Sequence, residues 1–145
     1  MNKNRVKVKE AAPDGYQAMM ALENYIGTTK INPSLREMIK IRASQINGCA
    51  YCIDMHTEDA RALGETEKRI YALSAWRESP LFTDEERAVL AFTEEMAQIS
   101  VKGISEETYD NMKKYFNDKS IAEIIMLNVT INSWNRIAIS THLQR

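Results

Sequence analysis

The spacing of its apolar residues is the feature that most constrains the fold of this chain. Along most of the 145 residues, apolar side chains recur at intervals of three and four positions, and no segment shows the valine-rich alternation of a half-buried strand. Only 3 prolines and 5 glycines interrupt the pattern. Because intervals of three and four place side chains on one face of a helix, we predict an all-α fold.

Capping and breaking residues divide the chain into six to seven helices, which we expect to form a helical bundle. A residue that can cap a helix precedes each periodic segment, and glycine or proline follows several of them. The predicted starts are Asp14, Asn32, Cys49 or Ala50, Thr66, Thr83, Ser105 and Ser120. Thr83 and Ser120 each have a glutamate three residues later, as in a capping box. The predicted breaks are Gly48, Gly64 and Pro80.

The predicted last helix, from Ile121 to about His142, is apolar on more than one side. A helix of this kind is buried on several sides. A central place in the core and a place at a subunit interface both satisfy the pattern. In a chain this small we favour the interface, so we expect a homo-oligomer.

The composition indicates one domain over residues 1–145, with residues 1–12 as a flexible or arm-like N-terminus. Its 44% hydrophobic content is enough for a core. The net charge of −1 and the pI of about 6.2 leave no basic excess for nucleic acid. No apolar run reaches the roughly 18–20 residues of a membrane span, and no secretory signal is visible. We therefore expect a soluble cytoplasmic protein without a cofactor.

Both cysteines and one of the two histidines lie in the segment from Cys49 to His56. Two thiols separated by two residues can close into a disulfide and reopen. Cys49 is at a predicted helix start, where unpaired backbone N–H groups favour a thiolate. Cys52 and His56 are one turn apart on the same helical face, so the imidazole can take the proton of Cys52. The segment therefore favours redox chemistry at sulfur.

Other uses of a Cys-x-x-Cys segment fit this sequence less well. A zinc site would need two further ligands, for which only His56 and His142 remain as strong candidates, and we expect no metal. Haem attachment requires histidine directly after the second cysteine, where Ile53 stands. Inert core cysteines would make the nearby histidine and the helix start coincidences. Glu37, on the preceding helix, is either solvated or a buried partner of His56, and the pattern alone favours the solvated position.

Several motifs of the chain resemble, in their residues and spacing, those of one known protein family. Glu37 is followed by eleven residues and then by Cys49-x-x-Cys52-x-x-x-His56. Further matching segments are Asp59-Ala60-Arg61-Ala62-Leu63-Gly64, Tyr71-Ala72-Leu73-Ser74-Ala75-Trp76-Arg77 and Asn132-Ser133-Trp134-Asn135-Arg136-Ile137. Over roughly residues 15–142, the chain resembles the AhpD-like family, part of the alkylhydroperoxidase and carboxymuconolactone decarboxylase superfamily.

This resemblance implies an AhpD-like helical bundle, a trimer or a hexamer, that reduces hydroperoxides with thiols. It implies that Cys52 is the peroxidatic cysteine and Cys49 the resolving cysteine. It also implies that His56 and Glu37 relay protons to Cys52, which reverses the solvated interpretation of Glu37. The implied partners are a hydroperoxide and a dithiol reductant such as a lipoyl-bearing adaptor. The helix-start argument alone would make Cys49 the more acidic thiol, and that alternative stays open.

One position departs from the family pattern. Tyr51 stands between the cysteines, where the best-known members have a second histidine. A tyrosine can form hydrogen bonds but is a poor base near neutral pH. Two alternatives therefore stay open: a general disulfide oxidoreductase or redox sensor without peroxide specificity, and a non-catalytic helical oligomer. Members that act as decarboxylases generally lack the paired thiols, so the resemblance does not imply that activity.

Overall fold

The computed structural model describes residues 5–145 and confirms the all-α prediction. These residues form nine α-helices and one short 3-10 helix, without a strand. The α-helices are α1 (Val8–Ala11), α2 (Pro13–Thr28), α3 (Pro33–Asn47), α4 (Ala50–Ala62), α5 (Glu67–Ala72), α6 (Asp84–Ala97), α7 (Ile99–Lys102), α8 (Glu106–Tyr115) and α9 (Asp118–Thr141). The predicted seven are α2–α6, α8 and α9, and the other two are only four residues long. Residues 1–4 of the predicted N-terminal arm lie outside the described residues.

Most of the predicted helix starts are confirmed by side-chain caps. Asn32, Thr66, Thr83 and Ser105 each accept a hydrogen bond from the backbone N–H three residues later. Thr83 also forms the predicted capping box with Glu86. These residues satisfy N–H groups that have no partner within the helix, and this is why they begin helices.

Two predicted starts are wrong. Asp14 does not cap α2, because Pro13 begins the helix one residue earlier and places Asp14 in the first turn. Ser120 does not begin α9, because the side chain of Asn117 accepts the N–H of Ser120 and the helix begins at Asp118. The predicted capping box of Ser120 with Glu123 is therefore absent.

Two predicted helix ends are also wrong. The predicted fourth helix stops being α-helical after Ala72, where the chain enters the 3-10 helix Leu73–Ala75 well before Pro80. The 3-10 helix places Leu73 and Trp76 in the core beneath α3. The predicted fifth helix ends at Ala97, and Ile99 belongs to the separate helix α7.

Helix α3 is central, because it packs against α4, α6 and α9. Its buried residues point into two different clusters. Ile39 packs with Ile26, Val89, Phe92 and Leu127, whereas Met38 and Ile41 pack with Leu73, Trp76 and Leu90. Because α3 is buried on opposite sides, its C-terminal end is a fixed support for the cysteine segment that follows it.

Helix α9 is buried on several sides, as the sequence predicts. Its buried residues include apolar ones such as Ile124, Leu127 and Ile131, and five polar ones: Glu123, Asn128, Thr130, Asn132 and Asn135. Val129 and Ile139 on the same helix are 39% and 41% exposed. In residues 5–145, no helix combines the length and the apolarity needed to cross a bilayer.

Candidate active site

The cysteine segment begins at a sharp turn between α3 and α4. Gly48 adopts a left-handed conformation with φ 71°, which glycine reaches without the strain that a side chain adds. The turn is closed by two hydrogen bonds, from the Gly48 N–H to the Gln45 carbonyl and from the Cys49 N–H to the Ser44 carbonyl. Cys49 is then the N-cap of α4, as predicted, and its Sγ accepts the Cys52 N–H at 3.3 Å.

This turn brings the two cysteines together. Their Cα atoms are 5.3 Å apart, and the sulfurs are joined in a disulfide. Both residues are only 2% exposed and pack against Ala138 of α9. Tyr51, half-buried, packs against the same cluster. The structure therefore has the pair in the oxidised state and buried.

His56 lies one helical turn after Cys52 and is joined to Glu37 of α3. Its Nδ1 is 2.9 Å from Glu37 Oε2, and both side chains are buried. The solvated interpretation of Glu37 is thus wrong, because the residue is only 7% exposed and faces α4. The face of α3 that carries Glu37 packs against α4 and is therefore not exposed to solvent.

Glu37 is ionised in this environment. Burial raises the pKa of Glu37, but the hydrogen bond with His56 and the positive charge of Lys40 outweigh burial, and the pKa lies below its ordinary value. Because a carboxylate only accepts hydrogen bonds, Nδ1 of His56 is the donor. Nε2 is then the nitrogen that can accept a proton. A carboxylate that orients a histidine in this way also stabilises the imidazolium.

A cluster of amides ties the end of α3 to α9. Asn47 donates through Nδ2 to Asn132 Oδ1 at 2.8 Å and to Asn135 Oδ1 at 2.9 Å. Asn135 Nδ2 donates to Ser44 Oγ at 3.0 Å. Asn132 and Asn135 are buried, so they bridge the helices and do not face solvent. They hold the turn from which the cysteine segment starts.

Two charged residues near the site escaped the sequence analysis. Lys40 is buried beside Glu37, and Glu23 of α2 is paired with Lys40. Lys40 stands between Ile39 and Ile41 in a helix that is apolar on several sides. A lysine between two isoleucines, three positions after Glu37, is a sequence signal of a buried ion pair that could have identified Lys40.

Glu37, His56 and Asp59 place possible metal-ligand atoms within 4.8 Å of one another. The chemistry of these groups fits a hydrogen-bonded relay better than a metal site. Glu37 already binds His56 and Lys40, and Asp59 is exposed. The zinc alternative would use the cysteines as thiolates, whereas here their sulfurs are bonded to each other.

A cavity of about 460 Å³ lies elsewhere, between the beginnings of α3, α6 and α9 and the end of α8. Its lining residues include Lys30, Leu35, Tyr115 and Glu123, but none of Glu37, Cys49, Cys52 and His56. The candidate active site is therefore identified by its chemistry and not by the size of a cavity.

A known protein family matches the part of the chain that contains the candidate site residues. The model of the carboxymuconolactone decarboxylase family matches residues 13–95, which is more than half of the chain and includes both cysteines, His56 and Glu37. The uncharacterized protein YdfG of Bacillus subtilis (strain 168) is 45% identical over 136 residues, or 94% of this chain and 92% of YdfG.

Solved structures share the fold. ATU0492 from Agrobacterium tumefaciens is a protein of unknown function, suggested to be an antioxidant defence protein AhpD. It matches with a TM-score of 0.94 and 38% identity, covering 97% of each chain. The debrominase Bmp8 matches with a TM-score of 0.82 and 24% identity, covering 91% of this chain and 71% of Bmp8. The similarity to Bmp8 is one of fold alone, and the fold by itself does not determine the reaction.

Proposed function

This chain belongs to the carboxymuconolactone decarboxylase family, and on that premise we propose that it is a thiol-dependent, AhpD-like hydroperoxide reductase. The observation that supports this proposal most strongly is the Cys49–Cys52 disulfide one helical turn before a buried His56–Glu37 pair. A disulfide at this position is compatible with a redox role, and the adjacent pair supplies the proton chemistry that a reactive thiol needs.

In the proposed cycle the reduced protein attacks the hydroperoxide with the Cys52 thiolate. A sulfur–oxygen bond forms and the oxygen–oxygen bond breaks, so that Cys52 becomes a sulfenic acid and an alcohol leaves. The Cys49 thiol then attacks the sulfur of Cys52, a water molecule leaves, and the disulfide forms. An external dithiol reduces this disulfide and is itself oxidised. The net reaction converts a hydroperoxide and a dithiol into an alcohol, water and a disulfide.

His56 and Glu37 act on protons in this cycle. In the resting reduced state Nε2 of His56 accepts the proton of Cys52, and the thiolate forms beside an imidazolium. Glu37, held ionised by its neighbours, stabilises that charge through Nδ1. The imidazolium then gives its proton to the departing alkoxide. His56 is thus both the base and the acid of one turnover.

A general disulfide oxidoreductase or redox sensor is the second candidate. Tyr51 between the cysteines favours it, because this position lacks the second histidine of the best-known peroxidatic relatives. Stopped-flow measurements on the reduced protein separate the two candidates. Fast oxidation by hydroperoxide supports the reductase, whereas slow oxidation with fast exchange against a small disulfide supports the oxidoreductase.

The partners in this proposal are a hydroperoxide, a dithiol reductant such as a lipoyl-bearing adaptor, and further copies of the chain in a trimer or hexamer. Neither nucleic acid nor a membrane is part of the proposal, and the cytoplasm is the proposed compartment. A reducing compartment suits the proposal, because its dithiols can reopen the disulfide after each turnover.

Turnover of hydroperoxide with a dithiol reductant tests the proposal. Wild-type protein should consume hydroperoxide, and Cys52→Ser should not. Retained turnover in Cys52→Ser would contradict the proposed role of Cys52. Thiol titration and metal analysis of the wild type address a non-catalytic oligomer: thiols that resist peroxide, or a full equivalent of bound zinc, would favour that alternative.

A further inference from the structure

We propose that Lys40 is a positioning residue of the thiol site: its buried ammonium group, held between Glu23 and Glu37, sets how readily Cys52 gives up its proton. This inference rests on the proposed function for its catalytic meaning. Its geometry does not depend on which oxidant the thiols meet.

Lys40 is an ammonium group in the protein interior. It lies in α3 between Ile39 and Ile41 and is 6% exposed. Its Nζ is 3.4 Å from Glu37 Oε1 and 3.4 Å from Glu23 Oε1. A buried ammonium is costly unless carboxylates compensate it, so a lysine kept at this position needs both partners.

The two carboxylate oxygens of Glu37 contact different partners. Oε1 faces Lys40, while Oε2 accepts from His56 Nδ1 at 2.9 Å. Lys40 therefore fixes the carboxylate from behind and leaves one oxygen for the imidazole. A carboxylate with two fixed partners cannot rotate away from His56, so the ring keeps its orientation.

Glu23 is held on its other side by α9. Its Oε2 accepts from Trp134 Nε1 at 3.0 Å, and the Trp134 ring packs edge-on against Tyr16 at 5.8 Å between centroids. The line Trp134–Glu23–Lys40–Glu37–His56 thus joins α9, α2, α3 and α4. The charge near Cys52 is set by packing between four helices and not only by neighbours in sequence.

The charges along this line have opposite effects on the site. In residues 5–145, the acidic and basic side chains that form or contact this line are Glu23, Lys40, Glu37, His56 and, 3.8 Å from His56 Nδ1, the exposed Asp59. The positive charge of Lys40 favours a negative charge on nearby Cys52 and therefore a thiolate. Glu23 partly cancels that charge. Removal of Lys40 should raise, and removal of the Glu23 charge should lower, the pH at which the thiol ionises.

The test measures the pH dependence of alkylation of Cys52 by iodoacetamide, in reduced protein carrying Cys49→Ser. Lys40→Met should move the midpoint up by roughly one pH unit, and Glu23→Gln should move it down. Lys40→Arg should keep the wild-type midpoint, because it keeps the charge. Alkylation needs no peroxide, so a failure of this inference is distinguishable from a failure of the proposed peroxide chemistry.

A higher midpoint in Lys40→Met together with a lower midpoint in Glu23→Gln would support the proposal, because a purely structural role would not change sign between the two variants. An unchanged midpoint in both, shifts in the same direction, or the two shifts reversed would overturn it. Circular dichroism establishes that each variant is folded. If Lys40→Met does not fold, Glu23→Gln decides alone: a lower midpoint supports the proposal, and an unchanged or higher midpoint overturns it.

Discussion

At the scale of single residues, Glu37 connects the stability of the fold to the chemistry of the site. Its carboxylate is buried, accepts a hydrogen bond from His56 and faces Lys40. These partners hold its pKa below the ordinary value of 4.5 despite burial. Ionised Glu37 therefore stabilises the folded protein, and its protonation removes that contribution.

We expect Glu37→Gln to destabilise the protein near pH 7 by about 2 kcal/mol, because a buried hydrogen bond to a charged group and an ion pair are lost. The sign of the pH effect follows from the lowered pKa. The wild type holds its advantage above pH 4.5 and loses it as the pH falls through the lower folded-state pKa. Urea unfolding of both proteins at a series of pH values measures the difference, and a difference that stayed constant on acidification would contradict it.

Tyr51 is the residue between the cysteines at which this chain departs from the pattern of the best-known relatives. Replacement by histidine restores the residue type of the best-known relatives and adds a base beside the sulfurs. We expect Tyr51→His to increase the rate of oxidation by hydroperoxide by at least roughly tenfold, as an added general base can do. Tyr51→Phe is the matched control, and stopped-flow oxidation measures all three proteins. A slower reaction in Tyr51→Phe would show instead that the tyrosine hydroxyl takes part.

At the scale of elements, the turn between α3 and α4 determines where the cysteines lie. Gly48 has a positive φ, and an added Cβ would meet no atom within 4 Å, so the cost of a side chain there is conformational. We expect Gly48→Ala to lower the free energy of unfolding by about 1 kcal/mol.

Gly27 is a matched control, because it lies in α2 and also has open space around an added Cβ. Gly27→Ala should stabilise the protein by up to about 1 kcal/mol. Thermal or urea unfolding of both variants measures this contrast. Equal effects of the two substitutions would refute the proposed strain at Gly48.

The helices also show how far local sequence predicts this fold. Asn32 and Thr83 were predicted as caps because the signal lies within four residues. The prediction of Ser120 as a cap was wrong because Asn117, three residues earlier, is an equally good cap. The local pattern does not distinguish between the two residues. The 3-10 helix after Ala72 depends on packing beneath α3, which no local signal contains.

The candidate site divides in the same way. Cys49, Cys52 and His56 lie within one segment, so their spacing predicts their proximity. Glu37 comes from another helix, and only its place in a family motif predicted the pairing with His56. The roles of Lys40, Glu23 and Trp134 depend on the packing of α2, α3 and α9. Periodicity gives the face of each helix but not which helices meet.

At the scale of the whole molecule, self-association through α9 is a prediction. Val129 and Ile139 lie on the helix that the sequence assigns to a subunit interface, and both are partly exposed in the single chain. Single exposed apolar residues are common on protein surfaces, so the expectation of an oligomer rests on the resemblance and on the pattern of α9. We therefore expect the chain to form a trimer or a hexamer.

Light scattering after size-exclusion chromatography should give a multiple of the 16.6 kDa chain mass. Val129→Asp should reduce that mass, because it places a charge in the expected interface. Val101→Asp, at an exposed apolar position on α7, is the matched control and should leave the mass unchanged. A wild type that elutes with the mass of one chain would refute the oligomer.

The most direct test of the thiol peroxidase proposal is intact-protein mass spectrometry of reduced Cys49→Ser after one equivalent of hydroperoxide. Without a resolving thiol, the proposal predicts the added mass of one oxygen atom, located on Cys52 and removable by a dithiol. A protein that keeps an unmodified Cys52 thiol while the hydroperoxide remains would contradict the account.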